Sequence, residues 1–293
     1  MSRLTQRAAV APLNPWANLS TGVAEQAYSA NPANSPITTA GTGFADSNFG
    51  TYIGQKFDTS DGREFVLIQN GAVALSAAKV VQSCPEVTGF QKLAMTVPAA
   101  TPATAGTFKV LVTNGGTKLN TNQFAQGYLI VASATGIGQM LKIQSHPNAA
   151  ASATCLITLE DPIQTTLDAT STVSLLANPY IGSVIQVASG STQTGSPIGI
   201  TLYGIAASTA PTFDGTSGAL TAAGVAQYGL IQSHGPAVGT MTTGGASLTT
   251  GSGLGISTTA GSLIVQTLTT APLIAYNMQT QTDAQCGMVY LNL

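Results

Sequence analysis

The sequence predicts an all-β fold, and three observations carry that expectation. Forty-one of the 293 residues are threonine, and together with valine and isoleucine these β-branched side chains suit a pleated strand better than a helix. No apolar stripe recurs at the spacing of an amphipathic helix. Short apolar runs instead alternate with Gly, Asn, Asp and Pro punctuation, as in a chain of successive strands and turns.

Taken in order, residues 1–50 come first and read as an extended N-terminal arm. Pro12, Pro15, Pro32 and Pro36 interrupt it, and proline removes a backbone donor and fixes φ. The stretch is too polar to fold alone, yet it holds Ile37 and five expected interaction residues: Leu13, Trp16, Leu19, Tyr28 and Phe44. These are expected to pack on a neighbouring subunit. Residues 51–187 read as a β domain with strands at Glu64–Gln69, Lys79–Gln82, Phe108–Thr113, Tyr128–Ala132, Gln139–Gln144, Thr154–Leu159, Val173–Leu176 and Ser183–Val187. The loop Ala188–Pro197 is expected to open a second β domain, or a C-terminal β extension, over residues 188–293. Its strands are expected at Gly199–Ile205, Gly224–Gln232, Gly253–Ser257, Ser262–Gln266 and Gly287–Leu291. Asp61-Gly62, Asn70-Gly71, Asn114-Gly115-Gly116 and Asp214-Gly215 are expected turns, since these residues accept positive φ at low cost.

Charge is scarce. Only 7% of residues are charged, against roughly 25% in an ordinary soluble domain. No lysine or arginine follows Lys142, while Glu160, Asp161, Asp168, Asp214 and Asp283 do. A folded monomer of this mass exposes on the order of 11,500 Å², so charges are spread too thinly for a freely soluble surface. The composition therefore points to a part of an assembly. Nine scattered basic residues and a net charge of −2 argue against nucleic acid as the main partner, because phosphate binding needs clustered cations. The longest aliphatic stretches are too short to span a bilayer, so no membrane partner is expected. Met1–Val10 lacks the apolar run of a signal peptide.

Candidate chemistry is thin. Cys84, Cys155 and Cys286 are widely spaced and form no metal or redox motif. His146 and His234 each follow an Ile-Gln-Ser run and are expected to cap strand ends rather than act as general bases. Glu160-Asp161, with Asp168 nearby, is expected to end a strand at a turn; the oxygen-rich spacing of a calcium loop is missing. Gly251-Ser-Gly253-Leu-Gly255 lacks the third glycine and the lysine of a phosphate loop. No catalytic residue, cofactor, metal or small-molecule substrate is expected.

Several stretches resemble one known family. Lys56-Phe-Asp-Thr-Ser-Asp61-Gly62-Arg63-Glu64-Phe65-Val66-Leu67-Ile68 resembles the opening strand pair of a group of tailed-bacteriophage virion proteins. Thr154–Pro162, Leu176–Tyr180 and Gln227–Pro236 are similar in style. That group includes capsid decoration, or cement, proteins, and the likeness runs over roughly residues 56–262. The resemblance implies a β-barrel or β-tulip fold, a homotrimer, the major capsid protein as partner, a place on the outer surface of the head after synthesis in the host cytoplasm, and no catalysis. A phage tail, neck or fibre component and a surface glycan-binding module are the alternative readings.

Overall fold

A computed structural model of the chain describes residues 53–90, 95–100, 103–215, 218–222, 224–242, 248–266, 273–280 and 285–293. The five interaction residues expected in the arm, Leu13, Trp16, Leu19, Tyr28 and Phe44, lie outside them. The described residues are all-β and form two compact units. Cys84–Pro179 and Ala210–Gly224 make the second unit, and the rest makes the first.

In the first unit, β1 (Lys56–Asp58) and β2 (Glu64–Asn70) form a hairpin. Its turn is the expected Asp61-Gly62, with Gly62 at φ 80°. The N–H of Thr59 donates to the Arg63 carbonyl at 3.0 Å. The other strands around β2 are β3 (Val80–Gln82), β10 (Ile181–Ile185), β11 (Pro197–Thr201) and the 13-residue β14 (Tyr228–Thr240). Pairing runs β2 to β10, β3, β11, β14 and back to β2, which closes a ring. Val66, Ile68, Val81 and Ile231 fill one core there, while Phe65 and Leu67, of opposite parity on β2, pack with Leu230 in another. Burial on both faces explains why β2 reads as a continuous apolar run instead of an alternation.

The far half of β14 leaves the ring and continues into a sheet ordered β14, β18 (Cys286–Asn292), β17 (Ala275–Asn277), β15 (Gly253–Ile256) and β16 (Leu263–Val265). Ala237, Leu254, Ile256, Leu263, Ile274, Val289 and Leu291 are buried in its core. The change of partner falls just before Gly235, whose φ is 85°. The register shifts between Gln232 and His234, and the buried Gln232 amide donates to the carbonyls of His234 and Pro236 at 2.9 and 2.7 Å. This is a bulge, which bends a strand and re-aims its far end.

The second unit is a closed antiparallel barrel. Its strands are β4 (Met95–Thr96), β5 (Lys109–Thr113), β6 (Tyr128–Ser133), β7 (Met140–Ser145), β8 (Thr154–Leu159) and β9 (Thr172–Leu176), in the order β4-β5-β8-β7-β6-β9. Inward parity places Val110, Val112, Leu129, Val131, Leu141, Ile143, Cys155, Ile157 and Val173 in one packed core. Phe90 and Phe124 meet edge to face there, 5.0 Å apart. The Cys155 thiol is pushed up to about 11 by burial. A small ribbon, β12 (Thr212–Phe213) with β13 (Leu220–Ala222), also belongs to this unit.

The units do not follow the expected division at 187/188. Strand β10 pairs with β2 and β3, more than a hundred residues earlier in the chain, so the chain leaves the first unit after Ser83 and re-enters at Tyr180. The loop Ala188–Pro197, expected as a domain link, is pinned inside that unit. The Val187 N–H donates to Gln82 Oε1 at 3.0 Å, and Gln82 Nε2 donates to Thr194 Oγ1 at 2.7 Å. Gln186 reaches Gln193 at 2.6 Å. Asn70-Gly71 is likewise no hairpin turn, because β2 and β3 are not neighbours. The buried Asn70 amide instead donates to the carbonyls of Val73 and Ala206 at 2.9 and 2.6 Å.

Candidate assembly surface

A solvated antiparallel sheet ordinarily shows apolar side chains inward and polar ones outward. Strand β18 departs from this. Gly287, Val289 and Leu291 are buried, whereas Cys286, Met288, Tyr290 and Asn292 face out. The ladder with β14 sets Val238 opposite Met288 and Pro236 opposite Tyr290. The ladder with β17 sets Tyr276 opposite Tyr290, and the Met278 N–H donates to the Met288 carbonyl at 2.9 Å. The outward row thus gathers Val238, Met288, Met278, Tyr276 and Tyr290, all exposed by 39% or more.

The described residues of this face carry no charge. Among the described residues of the first unit, the charged ones are Lys56, Asp58, Asp61, Arg63, Glu64 and Lys79; none lies on β14, β17 or β18. His234 borders the face with its ring edge-on to Tyr290, centroids 5.5 Å apart. Beside Val238 and Met288 a groove of about 570 Å³ opens, lined also by Ala78, Ile200, Leu202 and Pro236. Contiguous exposed apolar surface of this kind marks a place where another surface binds.

The titratable residues singled out in the sequence are held apart, each in a local structural role. His146 is buried at the end of β7 in the second unit: its Nε2 accepts the Phe124 N–H at 3.0 Å, and Nδ1–H donates to the Pro147 carbonyl at 2.9 Å. Burial lowers its pKa, partly offset by the Pro147 carbonyl. His234, expected at a strand end, lies within β14, because the register shift at Ser233 is absorbed as a bulge and Gly235-Pro236 continue in register with β18. Glu160 pairs with Lys142 at 2.8 Å and Asp161 accepts the Lys142 N–H at 2.8 Å. Asp168 caps a turn through the N–H and hydroxyl of Thr170 at 2.8 and 2.6 Å, contacts that lower its pKa. No group of three metal-ligating side chains occurs among the described residues.

Compared with family models, curated proteins and solved structures, the chain finds no match. The outward residues of β18 and β17 were not among the expected interaction residues. The signal existed for β18, since within Gly287–Leu291 the alternate positions Met288 and Tyr290 are as apolar as their inward neighbours. Strand β17 offered less: three residues, Ala275–Asn277, are too short to show a period.

Proposed function

We propose that this chain is a structural virion protein that decorates a bacteriophage head and bridges neighbouring capsomers as a homotrimer. The observation that carries the reading is the uncharged apolar face of β14, β17 and β18, on a chain whose charge density is already that of a covered surface. The likeness of residues 56–68 and 227–236 to phage decoration proteins gives that face its partners: further copies of the chain and the major capsid protein. A shell under pressure from packaged genome needs contacts and no chemistry. Closed barrels suit such a load, because closure leaves fewer unpaired edges than an open sheet. Repetition over a lattice then multiplies each modest contact through effective concentration.

The reading is tested by mixing the purified chain with undecorated heads and sedimenting them. Attachment through apolar burial and backbone hydrogen bonds is expected to saturate, and to change little between low salt and about 0.5 M, because screening acts on exposed charges. No attachment at any salt overturns it. Release of most copies by moderate salt overturns the apolar mode and moves the anchor to charged residues such as Arg3 and Arg7.

A further inference from the structure

We propose that the groove beside Val238 and Met288 receives the Leu13–Phe44 segment of a second copy of this chain, with the Trp16 indole seated between Ile200, Leu202, Pro236, Val238 and Met288. The inference rests on the assembly reading above and names the contact that would hold the copies together.

Three observations support the match. The first is charge: the segment carries one acidic side chain, Glu25, and no base, and the described residues of the groove and the adjoining face have no charge to offer a polar partner. Away from Glu25, uncharged surface meets uncharged surface and leaves no desolvated ion behind. The second is shape and chemistry. Prolines at 15, 32 and 36 deprive the segment of donors, so it is poorly suited to add a strand to a sheet edge and better suited to dock side chains into a concavity. A volume of about 570 Å³ lies within the ~300–1,000 Å³ of sites that enclose a small molecule, enough for an indole. The third is position. The described chain starts at the buried Ile53, in the same unit as the groove. The 36 residues between Trp16 and Ile53 can span on the order of 120 Å when extended, enough to reach another copy. A contact in which each copy gives a segment and offers a groove closes as a reciprocal two-fold exchange or, placed head to tail, as a ring when the rotation allows.

Trp16 is the only tryptophan in the chain, so its fluorescence reports the contact directly. In the assembled full chain the emission is expected to be that of a buried indole, several-fold protected from acrylamide. Val238→Asp is expected to shift it to the solvated value with an unchanged circular dichroism spectrum; Met288→Gln is the milder variant should Val238→Asp disturb folding. The deciding step is complementation. A Val238→Asp chain, which keeps Trp16 but has a spoiled groove, is mixed with a Trp16→Phe chain whose groove is intact. Recovery of buried emission establishes docking between copies. Solvated emission in the assembled protein, indifference to both face variants, or failure of the mixture to recover overturns the proposal, the last by placing the segment on its own chain. Because no heads are present, this outcome is independent of whether the protein decorates them.

Discussion

His146 accepts the N–H of Phe124 through Nε2 at 3.0 Å while its other ring nitrogen meets the Pro147 carbonyl at 2.9 Å. Protonation at Nε2 would end the first bond and place a charge in the barrel wall. Burial holds the folded pKa below the ordinary value, so the unfolded chain takes up a proton first. The stability this contributes is present above about pH 6.5, the unperturbed histidine value, and is lost as pH falls toward the folded pKa. Thermal unfolding between pH 7.5 and 5.5 is expected to show that decline, and His146→Gln to flatten it. An unchanged slope in the variant would remove His146 as its source. Leaving the Phe124 N–H unpaired should also cost about 1–3 kcal/mol at neutral pH.

Gly235 follows the bulge at which β14 passes from the ring to the outer sheet. Its φ is 85°, and a Cβ there would stand 2.7 Å from the Gly62 carbonyl oxygen in the β1–β2 turn. Backbone strain of this kind costs about 1–3 kcal/mol. Gly235→Ala is expected to lower the midpoint of denaturant unfolding and to loosen the β14–β18 ladder. Faster amide exchange at Val238 and Val289 in the variant would show it, and exchange identical to the parent chain would refute it.

Gln82 fixes the loop Ala188–Pro197 by accepting the Val187 N–H and donating to Thr194. Gln82→Ala strips both partners and leaves a backbone N–H without its acceptor. A loss of about 1–3 kcal/mol is expected, with new proteolytic cleavage within residues 188–197. Resistance equal to that of the parent chain would show that other contacts hold the loop.

Much of the local structure was legible. The strand over Thr154–Leu159 was placed at its observed bounds, and others to within a few residues, because each is an apolar run closed by turn residues. Pairing was not legible. The closing contact of β2 with β14 joins Val66 to Ile231, and no local pattern encodes that distance. Gly235-Pro236 looked like a stop because these residue types favour turns, yet here they continue in register with β18. The gathering of Tyr276 beside Tyr290 was hidden for the same reason: the tyrosines look dispersed in sequence, and only the ladder between β17 and β18 makes them neighbours. The interaction residues expected in the arm, Leu13, Trp16, Leu19, Tyr28 and Phe44, remain a proposal, resting on their composition and on the groove described above.

Whether the chain decorates heads is tested most directly by imaging purified particles labelled with gold-conjugated antibody against it. The account predicts label spread over the outer surface of the head, with label lost when residues 1–45 are deleted and the remaining chain still folds. Label confined to the tail, neck or fibres, or no label on particles at all, would contradict it.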